Sequence, residues 1–313
     1  MQRPKIIHDG RGYIVVPGNV RDEANKLVPD LQDVSEPTDI LWSDYKKQIP
    51  KDDFDKFNEW LGLPQKEGRE FSIFPYQHNL RDDIVKQKHK HIVINKFAGA
   101  GATELIPRIE LELMLNYDLP YRQFAIVTGT RMNFTEQVIK TRIKSIITRN
   151  HPELISKSTN DTIELINGYY FKGYPTDHID AIRGQSDLQF IFIDEGAFFH
   201  PNMQEELRMA IERYDTKTQP FIVWVSTPNG PEGAFYQIFT DSLASKNDYR
   251  CYIWNYQLGL DCELLTKEEV EKKQKDNTRL WRQELNNEFI APLGAVMPPL
   301  DDAVISDRRA LRL

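Results

Sequence analysis

Short apolar runs without polar alternation recur from about residue 91: HIVIN (91–95), QFAIVTG (123–129), LQFIFIDE (188–195), PFIVWVSTPNG (220–230) and RCYIWNY (250–256). Each reads as a strand, and LQFIFIDE and PFIVWVSTPNG as strands buried on both faces. The stretches between them carry helical spacing: ELIPRIELELMLN (104–116), FTEQVIKTRIKSIITRN (134–150) and the charged run LTKEEVEKKQKDNTRLWRQELNNEF (265–289). Pro107 falls early in the first of these, where the first turn of a helix tolerates proline. TIELINGYYFKGYP (162–175) alternates on either side of Asn167-Gly168 and predicts a hairpin. Strands alternating with helices predict an α/β fold with a mostly parallel sheet covered on both faces. Residues 1–70 are polar and mixed. One or two short helices are expected there, with Asp52 or Asp53 capping the helix that carries Phe54, Phe57, Trp60 and Leu61.

Composition narrows the class. With 40% hydrophobic and 28% charged residues, the 313-residue chain is that of a globular protein with one large domain and a small N-terminal element. No apolar run approaches the roughly 20 residues of a membrane span. The first residues lack a secretory signal's apolar core and read as a mature start. Two cysteines, Cys251 and Cys262, make neither a disulfide framework nor a four-ligand zinc site, which fits a reduced intracellular setting. The net charge of −7 does not advertise a nucleic-acid binder. It is uneven, however: residues 81–150 carry a surplus of about five positive charges and residues 151–313 about nine negative ones.

In parallel sheets ligands bind at the carboxyl ends of strands, and three of these runs end in polar or glycine-rich segments. The first is Lys96-Phe97-Ala98-Gly99-Ala100-Gly101-Ala102-Thr103, in the strand-to-helix context of a phosphate-binding G-x-x-x-x-G-K-[ST] loop. Gly101 and Thr103 fit that pattern. Ala102 stands where the motif has lysine, and Lys96 where it has the first glycine. Backbone N–H groups cradle phosphates whatever the side chains, and Gly99, Ala100, Gly101 and Ala102 are small enough to permit it. Thr103 offers a hydroxyl to Mg²⁺, and Lys96 can reach back across the loop as the cation. Alone, the segment reads equally well as a Gly/Ala turn.

The second is the Asp194-Glu195 pair closing LQFIFIDE. Asp194 is placed to hold the metal and Glu195 to orient and deprotonate the attacking water of phosphoryl transfer. The competing reading is two acids capping a strand or the next helix. The third, Ser226-Thr227-Pro228-Asn229-Gly230, offers Ser226, Thr227 and Asn229 as groups that sense a γ-phosphate and couple its loss to motion, or is an ordinary turn.

Other segments carry weaker signals. Tyr76 and Gln77, some twenty residues before the loop, suit an adenine edge and face or a capped helix start. Arg183 and Arg131 are candidate charge stabilisers, in their own or a neighbouring subunit, or simply solvated. Lys140, Arg142, Lys144 and Arg149 crowd one helix and could contact DNA phosphates, although a solvated face explains them as well. No Ser-His-Asp pattern and no metal site made of protein ligands alone is evident.

Taken in order, these motifs resemble the ATPase domain of large terminase subunits, the motors that package DNA into the capsids of tailed bacteriophages and related viruses. The resemblance runs from about Phe74 to Phe289 and includes Pro75-Tyr76-Gln77, the loop at 96–103, Asn167-Gly168, Arg183-Gly184, DEGAF (194–198), STPNG (226–230) and LWRQELNNEFIAPLGAVM (280–297). The loop is similar to the variant of lambda-type terminases, in which the lysine opens the loop. The resemblance implies a RecA-like P-loop fold that hydrolyses ATP with Mg²⁺. It further implies double-stranded DNA translocation by a homo-oligomeric ring docked on a portal, with a small terminase subunit, in the cytoplasm of an infected host cell. Sixteen residues follow Met297, too few for the nuclease such proteins usually carry, so no cleavage is expected of this chain. The expected layout is an N-terminal appendage at 1–70, the ATPase domain at 71–290 and the start of a linker at 291–313. Two rivals differ in class. A helicase-like translocase needs a second RecA-like domain, for which the chain after Gly230 is short. A degenerate P-loop adaptor draws on Ala102 and is opposed by Asp194-Glu195.

Overall fold

The computed structural model describes residues 42–66, 68–129 and 136–291, together with the strands β1 (Lys5–His8) and β2 (Tyr13–Val16). The chain forms two compact units, Met1–Leu41 and Trp42–Leu313. In the first, β1 and β2 pair antiparallel, with Lys5 opposite Val16.

The second unit opens with α1 (Trp42–Tyr45) and α2 (Phe54–Leu61), the helices expected within residues 1–70. Asp53 caps α2, its side chain accepting from the Lys56 N–H at 3.0 Å. Phe54, Phe57 and Leu61, spaced three and four apart, are buried in the core of this unit. Arg108, fully buried, donates to Asn58 Oδ1 at 3.0 Å and to the Gly62 carbonyl at 2.8 Å, fixing α2 to the helix that follows the glycine loop. These helices therefore belong to the larger unit. A two-stranded ribbon, β3 (Gln65–Lys66) and β4 (Arg69–Glu70), leads to α3 (Pro75–Val85).

The centre is an eight-stranded sheet built from β5 (His91–Lys96), β6 (Gln123–Thr128), β7 (Ile155–Ser158), β8 (Thr162–Leu165), β9 (Tyr170–Tyr174), β10 (Leu188–Asp194), β11 (Phe221–Ser226) and β12 (Arg250–Trp254). Its spatial order is β12-β5-β11-β10-β6-β9-β8-β7. The first six are parallel; β8 and β7 add an antiparallel edge. The Asn167-Gly168 turn joins β8 to β9 as predicted.

The central strands are buried throughout and send alternate residues into two layers. Ile92, Ile94, Phe124, Ile126, Phe190, Phe192, Val223 and Val225 pack with α2, α3, α4 (Ala102–Asn116) and α5 (Lys144–Asn150). Val93, Ala125, Val127, Ile191, Ile193, Ile222 and Trp224 pack with α7 (Pro201–Glu212) and α8 (Gly233–Leu243), after the short α6 (Asp180–Arg183). The chain ends in α9 (Tyr256–Asp261), α10 (Lys267–Asp276) and α11 (Thr278–Glu284). This is the expected RecA-like architecture.

Two local expectations change. Helix α4 starts at Ala102, directly from the glycine loop, so Pro107 lies in its second turn rather than its first. Its missing N–H leaves the Thr103 carbonyl without its usual helical donor. Before α5, Val138–Ile143 is a π-helical turn. Helical spacing does not reveal such a turn, which shifts the faces of residues by a fraction of a turn.

Candidate active site

The strand order decides what meets at the carboxyl edge. Because β11 lies between β5 and β10, with Ser226 level with Asn95 and Val225 level with Asp194, the ends of all three strands converge. Lys96 ends β5 and is almost wholly buried. Its Nζ lies 2.7 Å from Glu195 Oε1 and 3.3 Å from Thr227 Oγ1. Ala102 packs its methyl into the core, so the cation at this edge comes from Lys96.

The loop after β5 turns on Gly99 (φ 92°) and Gly101 (φ 78°), conformations glycine adopts without a Cβ penalty. Gly101 is also the N-cap of α4. Among the described residues, the N–H groups of Gly99, Gly101, Ala102 and Thr103 have no backbone acceptor, whereas Ala98 donates to the Glu284 carbonyl and Ala100 to that of Phe97. Those free donors and the helix N-terminus form an anion cradle.

Asp194 is buried and its Oδ1 has no hydrogen-bond partner. Burial and the neighbouring Glu195 carboxylate push its pKa up to about 6, against the opposing effects of Lys96, a hydrogen bond from Thr103 and the Arg142 charge. An orphaned carboxylate oxygen beside a threonine hydroxyl is a hard-oxygen donor set that suits Mg²⁺ completed by phosphates and water. No cluster of three or more His, Cys, Asp or Glu able to hold a metal occurs among the described residues.

Glu195 sits in the left-handed region (φ 55°), a strained posture for a non-glycine residue. Its carboxylate is held from several sides. Oε2 accepts from the Thr227 N–H at 3.3 Å and lies 3.4 Å from Ser226 Oγ, whose hydroxyl has its shorter bond to the Thr227 carbonyl at 2.7 Å, while Oε1 takes Lys96. Ser226 Oγ also accepts from the Ala197 N–H at 3.2 Å, and Asn229 Nδ2 donates to the Ala197 carbonyl at 3.2 Å. The loop after β11 thus braces the acidic turn.

A cavity of about 340 Å³ spans the cradle, lined by Lys96, Gly99 to Leu105, Glu195 and Arg142, with Phe71, Ile73, Phe74 and Leu264 forming an apolar end. A second cavity of about 460 Å³ adjoins it across Glu195 and Arg142 and is walled by Thr128, Thr141, Phe198 and Phe199.

Gln77 lines the first cavity with its amide engaged. Oε1 accepts from the Phe74 N–H at 3.0 Å as a helix cap, and Nε2 donates to the Ala100 carbonyl at 3.3 Å. Tyr76 does not line the cavity; its hydroxyl donates to the same carbonyl at 2.9 Å from behind the loop. Arg183 is also absent from the lining. It is partly exposed and pairs with Asp180 at 2.9 Å. Arg131 lies outside the described residues.

The basic helix does not act as one group. Lys140 pairs with Glu136 at 3.6 Å, Lys144 is exposed, and Arg149 donates to the Leu63 carbonyl. Arg142 instead faces both cavities. Sequence reasoning did not single it out for these cavities; it lies within the π-helical turn, where ordinary helical spacing does not apply.

No curated protein sequence matches the chain. Among solved structures, it is similar to the HK97 bacteriophage large terminase at 14% identity and TM-score 0.56, over 75% of this chain and 54% of that one. It is similar to the large terminase of a thermophilic bacteriophage in complex with ADP at 16% identity and TM-score 0.53, over 69% and 53%. A mutant of the Thermus phage P74-26 large terminase ATPase domain matches at 17% identity and TM-score 0.53, over 75% of this chain and 98% of that one. The chain therefore spans about half the length of the first two proteins and nearly all of the isolated ATPase domain. The model of the terminase large subunit, T4-like-virus type, N-terminal, matches residues 120–300. That match covers more than half of the chain and agrees with the fold, so the chain belongs to this family of large terminase subunits.

Proposed function

We propose that this chain is the ATP-hydrolysing motor domain of a large terminase. The observation that carries the reading is the meeting of Lys96, Glu195, Thr103 and the free loop amides at one nucleotide-sized cavity, with Thr227 bonded to Lys96 and Asp194 bonded to Thr103 next to its lining. The similar terminase of the thermophilic bacteriophage has been crystallised with ADP and with ATP-γ-S, which supports nucleotide as the occupant here.

In the nucleotide-free chain Lys96 is paired with Glu195. Phosphates entering the cradle compete for Lys96 and release the carboxylate. The Thr227 N–H keeps Glu195 in place, so it can accept a proton from water as the water oxygen attacks the γ-phosphorus and the bond to the β–γ bridging oxygen breaks. Thr103 and Asp194 would hold Mg²⁺, which when bound offsets charge on the β- and γ-phosphate oxygens. Arg142 supplies a further positive charge at the mouth of the site. The base lies against the apolar end, with Tyr76 and Gln77 supporting the loop. The loop at 226–229 would pass phosphate loss to the rest of the motor.

At the level of the assembly, the proposal extends to double-stranded DNA translocation into a procapsid by a ring of these chains, with a portal and a small terminase subunit, in the infected host's cytoplasm. No helix among the described residues is long and apolar enough to cross a membrane. The test is Mg²⁺-dependent phosphate release, run concentrated and with DNA, for wild type, Lys96→Ala and Glu195→Gln. The reading expects wild-type turnover and a loss of roughly 10²-fold or more in each variant. Equal rates for wild type and Lys96→Ala would show that the loop lysine does not serve the reaction.

A further inference from the structure

The segment from Glu284 to Ile290 touches both loops the proposed reaction uses. The Ala98 N–H, inside the phosphate loop, donates to the Glu284 carbonyl at 2.7 Å. Asn287 adopts a left-handed φ of 58°, which asparagine tolerates better than most residues. From there its Nδ2 donates to the backbone carbonyls of Asn95 and Trp254, both at 3.0 Å, and its own carbonyl accepts from Asn95 Nδ2 at 3.2 Å. The Trp254 carbonyl also takes the Phe97 N–H at 2.7 Å. Asn287 thus grips Asn95, the residue before Lys96, directly, and shares the Trp254 carbonyl with the N–H of Phe97, the residue after it. Farther on, the Phe289 ring lies 4.9–6.2 Å from the rings of Phe235, Tyr236 and Phe239 on α8, and the Ile290 N–H donates to the Asn229 carbonyl at 3.1 Å.

Anchoring alone does not account for this arrangement. Phe289 already seats the segment on α8 by apolar contact. The Asn95–Asn287 pair adds a strained backbone and two buried amide oxygens with no partner, a costly way to make an anchor. What the pair adds is a fixed relation between the phosphate loop and the loop after β11.

We infer that Asn287 is a positioning residue of the nucleotide site: it sets Lys96 and the phosphate loop against the loop at 226–229, and links both to the chain that continues past residue 291. The first half stands on the geometry alone; the link to nucleotide state rests on the function proposed above.

The experiment is amide hydrogen exchange on the intact chain, first without nucleotide, for wild type, Asn287→Gly and Phe289→Ala. Asn287→Gly keeps the left-handed backbone and removes the amide. It is expected to speed exchange at Phe97 and Ala98 on the order of tenfold, with Phe124 and Ile126 of β6 unchanged. Phe289→Ala is expected to speed exchange at Ile290 and spare Phe97 and Ala98. Wild-type exchange at Phe97 and Ala98 in Asn287→Gly, or an equal rise there in Phe289→Ala, overturns the inference. If Asn287→Gly loosens β6 as well, Asn287→Asp takes its place with the same expectations. The second step adds Mg²⁺ and ATP-γ-S to wild type. Slower exchange at Ala98 and Ile290 supports the link, and unchanged exchange with nucleotide demonstrably bound overturns it. No nucleotide binding at all sinks the ATPase reading instead and leaves the first comparison to decide the role of Asn287.

Discussion

At the scale of single residues, the ion pair between Lys96 and Glu195 makes a prediction that separates binding from chemistry. Glu195→Gln removes the negative partner of Lys96 while keeping the size of the side chain, so the lysine is free for phosphate. ATP affinity should hold or rise, while turnover falls by roughly 10²–10⁴-fold, the usual contribution of a general base. Equilibrium binding of a fluorescent ATP analogue set beside single-turnover hydrolysis tests this, and a parallel loss of affinity would show that Glu195 serves binding. Glu110 offers a second residue-scale prediction. It lies in α4 wholly buried, both carboxylate oxygens lack partners, and burial raises its pKa well above 4.5. The folded state therefore retains a proton that the unfolded state releases. Stability is unaffected below about pH 4.5 and falls as the pH rises above it, by about 1.4 kcal/mol per pH unit until the folded pKa is passed. Glu110→Gln mimics the protonated acid. It should match wild type in thermal unfolding near pH 4 and exceed it near pH 7; a constant difference at both would rule out this source.

At the scale of elements, the π-helical turn Val138–Ile143 places Arg142 at the mouth of the cavity, where its charge helps hold down the pKa of Asp194. Arg142→Ala should weaken ATP binding or turnover by roughly tenfold or more, whereas Lys144→Ala, two residues on and in the lining of neither cavity, should leave both unchanged. If the two variants behave alike in hydrolysis and both weaken DNA binding, the helix is a DNA surface after all. Arg142 also marks the limit of what was legible from the chain. The central strands were readable because they are apolar on both faces, and the β8–β9 hairpin because Asn-Gly dictates its turn. A π-helical turn has no period of its own to read. Nor does local pattern disclose that β11 separates β5 from β10, so the meeting of Lys96 and Glu195, ninety-nine positions apart, appears only with the sheet assembled. Gln77 shows the same limit: as a helix cap or a base-edge partner its sequence context is identical, and the fold shows the amide already joined to Phe74 and Ala100. The antiparallel edge strand β7 escaped notice because only Ile155 of its four residues is even partly buried.

At the scale of the whole molecule, the proposed site has one gap that another chain can fill. Arg183 is a candidate for stabilising transferring charge in its own or a neighbouring subunit, yet it does not line the proposed nucleotide cavity and pairs with Asp180. If it acts in catalysis, it acts on a neighbour's nucleotide, and the ring then becomes a requirement of the chemistry. Chains carrying Arg183→Ala keep an intact cavity, and chains carrying Glu195→Gln keep an intact arginine. Each alone should be nearly inactive, because every site in a uniform assembly lacks one of the two groups. Mixed in equal amounts, some junctions pair an intact cavity with an intact Arg183, and phosphate release should recover to a sizeable fraction of wild type. The rate per chain of wild type should also rise with protein concentration, since a trans-acting group is supplied only on assembly. A concentration-independent rate together with full activity of Arg183→Ala would mean that the charge at the γ-phosphate is met within one chain, which leaves Lys96 and Arg142 to meet it.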